Sequence, residues 1–202
     1  MIDFLAVFIF FFAVIDPIGT IPVFIAVTRG DDEQLKRRTA IRATLISASV
    51  LIFFVVAGEV ILGAMDIPLA AFQIAGGIVL FLFALTMIFG NSKPEEELAV
   101  VNKGRDTAVF PLSVPSIASP GAMLAAVLLT ENARYSLSEQ LQTMAMMLSV
   151  LLVTLTFMLL ASRIHRYLGD GGASIISRVM GLILASVATA NTLAGIETYF
   201  GI

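Results

Sequence analysis

Asp16-Pro17-Ile18-Gly19 and Ser119-Pro120-Gly121 place a side-chain acceptor, a proline and a glycine in the same order, 103 residues apart. Asp and Ser are good helix N-caps, and proline suits the first helical position. Each motif therefore reads as the start of a half-helix, with Gly19 and Gly121 leaving first-turn N–H groups open to close approach. A helix N-terminus carries unpaired N–H donors and a partial positive charge, so it attracts carboxylates. Upstream of the second motif, Phe110-Pro111-Leu112-Ser113-Val114-Pro115-Ser116 holds too many prolines for a regular helix, and its freed carbonyls can face a cation or an ammonium group. These groups suit a small zwitterion, with N–H donors for its carboxylate and Asp16 with free carbonyls for its ammonium. The candidate binding residues are Asp16, Pro17, Gly19, Thr20, Ser116, Ser119, Pro120, Gly121 and Asn191.

Plainer readings stand beside this one. Prolines also kink membrane helices without binding anything. Asp16 serves equally well as a simple cap, and Asn191 as an interhelical hydrogen bond. A carboxylate inside a membrane span is nevertheless costly, which makes Asp16 a functional candidate. Recurrence of the motif in two halves of the chain favours a site over two unrelated kinks.

Both motifs fall near the centres of apolar runs, 4–28 and 107–130, each long enough to cross a bilayer. Four further runs cover about 39–64, 68–90, 139–163 and 174–200. The chain has 202 residues, 58% hydrophobic and 13% charged, and its mean hydropathy is +0.98. A soluble domain carries about 25% charge, so a polytopic membrane protein is expected, with no soluble catalytic domain. Zero Cys excludes disulfides and thiolate metal sites, and a single His, His165, argues against a transition-metal centre. A net charge of -3 gives no sign of a nucleic-acid partner. Met1-Ile2-Asp3 lacks a basic leader region, so the first run reads as a retained span.

The expected fold is all-α, a single membrane domain over 1–202 with six transmembrane helices, spans one and four interrupted mid-membrane. Gln73-Ile74-Ala75-Gly76 matches Arg178-Val179-Met180-Gly181 at an offset of 105, close to the offset of the proline motifs. Repeat one then covers about 1–92 and repeat two about 105–202, joined by a cytoplasmic linker at about 91–106. Three spans per unit make the second unit inverted, a common transporter plan. Gln73 and Arg178 read as interface anchors, and Glu59 and Glu197 as wetted span ends.

The stretches Phe12–Phe24 and Phe110–Ala122, with Phe72–Ile78 and Arg178–Ala185, resemble the MarC family of bacterial and archaeal membrane proteins, which includes the SnatA amino-acid transporters. Family members often have Asn-Pro where this chain has Asp16-Pro17, and Gly where it has Ser119. The resemblance implies a six-span inner-membrane protein of the LysE-like transporter group. It implies a secondary transporter for small neutral amino acids of the glycine, alanine and serine class. The alternatives are an exporter of other small metabolites or drugs and, more remotely, an intramembrane enzyme using Asp16. That enzyme needs a second carboxylate nearby, and Asp66, Glu59 and Glu197 all sit at span ends. No cofactor is expected; H+ or Na+ can serve as coupling ion. The expected partners are a small zwitterionic amino acid and the lipid bilayer, with a homo-oligomer compatible with the sequence.

Ten of the twelve basic residues flank odd-numbered loops: Arg29, Lys36, Arg37, Arg38, Arg42, Lys93, Lys103, Arg105, Arg163 and Arg166. The positive-inside rule then puts those loops in the cytoplasm and both termini outside. An Arg37→Cys variant of this cysteine-free chain is expected to resist impermeant maleimide from outside, and Ile202→Cys to react. Strong outside labelling at 37 with protection at 202 contradicts this topology.

Overall fold

The computed structural model describes residues 4–89, 106–132 and 135–201, and all regular structure among them is helical. Most of the linker expected at 91–106 lies outside the described residues. The first apolar run is split into α1 (Phe4–Ile15) and α2 (Thr20–Val27). A long helix α3 (Glu33–Ala64) follows, then α4 (Leu69–Phe89). A proline segment, Ala108–Ile117, leads through Ala118 and Ser119 into α5 (Pro120–Leu128), and the two are bent by 55°. The last helices are α6 (Leu137–Leu159) and α7 (Ala161–Phe200).

Five stretches are long and apolar enough to cross a membrane, six when the bent pair counts as one span. Five of the six apolar runs of the sequence are thus helices of spanning length, and the fourth run is the bent pair. Helix α3 has 32 residues, about 48 Å at 1.5 Å per residue, which exceeds the roughly 30 Å hydrocarbon core. Its first turns carry Lys36, Arg37, Arg38 and Arg42, charges that suit an end outside the hydrocarbon core. The Asp32 carboxylate caps its start, accepting the Leu35 N–H at 2.7 Å. Helix α6 starts with a capping box, Ser136 with Glu139.

The segment Arg163–Gly172, expected as a loop, differs. Helix α7 begins at Ala161 and runs to a break at Gly169 (φ +62°), and the apolar span follows from Ser174 to Phe200. A helix outside the bilayer need not be apolar, so charge alone did not mark this one.

Burial orders the bundle. In the most apolar window of the first span 61% of residues are buried, against 22–33% for the long unbroken helices. The broken span therefore lies at the centre, with α1 against α5, α6 and α7, and α2 against the proline segment, α6 and α7. Phe11, Val14, Ile15, Leu112 and Ile117 form the core around it. Helices α4 and α7 pack antiparallel with backbones nearly touching. A Cβ on Gly77 would lie 2.2 Å from Thr192 Oγ1 and 2.9 Å from the Ala188 carbonyl; one on Gly195 would lie 3.1 Å from the Ala70 carbonyl. Small residues permit this approach, which in lipid is the main source of helix association.

Gly77→Ala is therefore expected to separate α4 from α7 and destabilise the protein by about 1–3 kcal/mol, as overpacking does. Gly63→Ala, at a position with open space around it, is the control and is expected to leave stability unchanged or higher. Thermal unfolding in detergent reads both. Equal melting of Gly77→Ala and the parent contradicts the packing account.

Candidate functional site

The chain between α1 and α2 turns at Asp16, which has φ +50°. That left-handed conformation is strained for most residues, and Asp tolerates it better than most. Local bonds hold it. Asp16 Oδ1 accepts the Gly19 N–H at 2.9 Å, and the Asp16 carbonyl accepts Thr20 N–H at 3.1 Å and Thr20 Oγ1 at 3.0 Å. Asp16 thus closes the turn that leads into α2, whose N-cap position is Gly19, where the sequence suggested Asp16 itself as the cap. Regular helix starts at Thr20, not at Pro17, because residues 17–19 form a turn. Gly19 is required there. A Cβ on it would sit 2.1 Å from Asp16 Oδ2 and 3.0 Å from Ser177 Oγ.

At the second break Ser119 is the N-cap and Pro120 opens α5. Ser119 Oγ accepts the Ala122 N–H at 3.1 Å and donates to the Val14 carbonyl at 3.2 Å. Val14 lies in the last turn of α1, where carbonyls have no helical partner. One break therefore satisfies a carbonyl that the other leaves free. The two meet again where Thr20 Oγ1 and Ser116 Oγ stand 3.5 Å apart. A Cβ on Gly121 would lie 2.9 Å from Val14 Cγ1, so this glycine permits the contact.

Asp16, Thr20, Ser116, Ser119 and Gly121 thus converge, with Pro17 and Gly19 buried beside them; Pro120 is adjacent but exposed. Asp16 is 1% exposed and Thr20, Ser116 and Ser119 are 0% exposed, so the cluster is shut off from both sides. Asn191 stands elsewhere. It lines an apolar cavity of about 470 Å³ beside α1, together with Phe10, Ala13, Gln73, Leu184 and Tyr135. Gln73, expected as an interface anchor, is buried and also lines that cavity, whereas Arg178 is exposed. Glu197 is exposed as expected; Glu59 is half-buried and accepts the Asn132 N–H at 2.9 Å.

Sequence reasoning missed Ser177. Its hydroxyl, on α7, donates to Asp16 Oδ2 at 3.1 Å and ties the last span to the first break. The available signal was indirect: a buried carboxylate needs donors, and Ser177 is a polar residue in an apolar span. The carbonyls freed in the proline segment also have partners that the sequence did not reveal. The Ser113 carbonyl accepts Ala118 N–H at 2.8 Å and Ser47 Oγ at 3.3 Å, and Ser113 Oγ donates to the carbonyls of Ala43 (3.1 Å) and Ala108. These carbonyls therefore face hydroxyl groups.

The arrangement is chemically specific. Helix α2 runs from the cluster toward the α2–α3 turn, and α5 runs from it toward the α5–α6 loop. Each half-helix N-terminus faces the end of the other broken segment, α5 the end of α1 and α2 the end of the proline segment, and both N-termini favour negative charge. Asp16 is the resident carboxylate. Among the described residues no group of three or more His, Cys, Asp or Glu side chains could hold a metal ion.

Comparison with known proteins gives the same picture at the level of the whole chain. The profile of the MarC family integral membrane proteins matches residues 1–200. A UPF0056 membrane protein of Bacillus subtilis (strain 168), YvbG, is 32% identical over 199 residues, covering 96% of this chain and 94% of the relative. The UPF0056 inner membrane protein YhgN of Escherichia coli (strain K12) is 30% identical over 189 residues, 92% of each chain. A UPF0056 membrane protein of Buchnera aphidicola (subsp. Baizongia pistaciae) is 28% identical over 200 residues, 99% of each. No solved structure matches. With the match spanning nearly every residue and both broken spans, the chain belongs to the MarC family of integral membrane proteins.

Proposed function

We propose that this protein is a secondary transporter of the cytoplasmic membrane that moves small neutral amino acids of the glycine, alanine and serine class by alternating access. The observation that carries the reading is the meeting of two broken spans, each opening a half-helix, at a buried cluster of one carboxylate and four hydroxyls, Asp16, Thr20, Ser116, Ser119 and Ser177. Paired interruptions of this kind are the usual site of transporters built from inverted repeats. The substrate carboxylate takes the N–H groups at the start of α5, and its ammonium takes Asp16. Ser116, Thr20 and Ser119 exchange their mutual contacts for contacts to the guest. Gly19 and Gly121 keep the space small, which suits a side chain no larger than that of serine.

Asp16 is also the natural group for coupling. The coupling ion in this reading is H+ or, held by Asp16 with the hydroxyls, Na+. The cavity lined by Phe10, Gln73 and Asn191 favours a second reading, export of a larger apolar compound, because its walls are mostly apolar.

Purified protein in liposomes is expected to take up labelled glycine or alanine saturably, and excess unlabelled serine to compete. Asn still caps a helix but does not titrate. Asp16→Asn is therefore expected to fold, to lose the pH dependence of uptake and to raise KM for glycine about ten-fold, the effect of losing a charged hydrogen bond. Ser177→Ala is expected to raise KM less. Uptake and pH dependence unchanged in Asp16→Asn reduce Asp16 to a structural cap. No uptake of any small amino acid, with efflux of an apolar dye, favours the second reading.

A further inference from the structure

A second cavity, of about 460 Å³, lies on the other side of the paired breaks from the apolar one. It sits between the end of α2 (Val27), the first turns of α3 (Arg38, Thr39, Arg42) and the start of the proline segment (Asp106, Ala108). Its walls carry both charges, Arg38 and Arg42 with Asp31 and Asp106. Arg42 and Asp106 close on each other at 2.6 Å. Beneath them the polar side chains continue inward. Ser113 Oγ bonds the carbonyls of Ala108, which lines the cavity, and of Ala43, which follows Arg42. Ser47 bonds the Ser113 carbonyl, and Ser116, three residues further on, reaches Thr20. Thr39, Ser47, Ser113, Ser116 and Thr20 are all buried, and α2 separates Thr20 from Val27 by only about 10 Å.

We propose that this charged cavity is the cytoplasmic mouth of the transport path and that the Arg42–Asp106 ion pair is its gate. The proposal rests on the transport reading above and on the basic residues of α3, which assign this side to the cytoplasm. Three features fit together. The pair joins α3 of the first half to the proline segment of the second, the two elements that must part if the breaks are to open on this side. Its side chains are 62% and 40% exposed, and a wetted ion pair is weak, so it breaks and reforms readily. A zwitterion arriving in the cavity supplies a carboxylate for Arg42 and an ammonium for Asp106 as they separate, which lowers the cost of opening in the presence of substrate.

The absence of native cysteine makes a direct test clean. Ser47→Cys places a thiol below the pair, with Ser113→Cys as a second probe. Each is labelled with a small maleimide in inside-out vesicles, without any amino acid present. Slow labelling is expected in the parent. Arg42→Ala and Asp106→Asn are expected to speed it about three- to five-fold, the range set by an exposed pair. The charge swap, Arg42→Asp with Asp106→Arg, is expected to restore slow labelling. Size-exclusion profiles confirm that each variant is folded. Equal rates in parent and single variants, or a swap that labels as fast as the singles, overturn the gate. Gated labelling in a protein that moves no amino acid supports the gate and rejects only the substrate reading.

Discussion

A helix interrupted in the middle of a bilayer exposes carbonyls and N–H groups that lipid cannot satisfy. A buried polar group left without a partner costs about 1–3 kcal/mol even in a soluble protein. Here each interruption supplies what the other lacks. Ser119 caps its own helix through the Ala122 N–H and at the same time gives its proton to the Val14 carbonyl at the end of α1. Asp16 closes the turn of its own break and is held from across the bundle by Ser177. The two broken spans are therefore stable only against each other. This explains why the two broken spans are more buried than the long unbroken helices around them.

The same constraint selects the residue types. Backbones that must approach within hydrogen-bond reach leave no room for large side chains, so the contact zone holds Ser, Thr and Gly. Helix starts at the breaks favour a carboxylate, and hydroxyls adapt to either hydrogen-bond role. On the proposed transport reading, a small guest enters by replacing each hydroxyl contact given up with an equivalent one. Cavities on either side of the cluster, one apolar and one charged, place the breaks between two approaches. The antiparallel α4–α7 pair, locked by Gly77, Gly181 and Gly195, is a rigid element against which the broken spans can move.

Much of this was legible in the sequence because proline and charge are hard to disguise in an apolar chain. Pro17 and Pro120 lack the N–H a helix needs, so their breaks were readable, and Asp16 and Ser119 announced the caps. The extents of the apolar runs were readable from hydropathy alone. What escaped was everything set by distant partners. Ser177 is one serine among several in the last third of the chain, and nothing local marks it as the donor to a carboxylate 161 residues away. Gly19 read as an opening for a ligand, yet its N–H belongs to Asp16. Asn191 lies among small residues, which fixes a close-packing face but not the neighbour it faces; it lines the apolar cavity with Gln73. The first part of α7 read as a loop from Arg163 because Arg163 and Arg166 are charged, but those residues stand outside the apolar span.

The central claim is that the two breaks face each other and that a small amino acid binds between them. A Thr20→Cys/Ser116→Cys double variant tests it directly, since the native hydroxyls stand 3.5 Å apart. The quantity to measure is the rate of intramolecular disulfide formation under mild oxidant, with and without millimolar glycine or alanine. The account predicts ready cross-linking in the absence of amino acid and clear protection by glycine, with no protection by a large amino acid such as tryptophan. No cross-link at all contradicts the meeting of the breaks, and cross-linking indifferent to glycine contradicts the binding site.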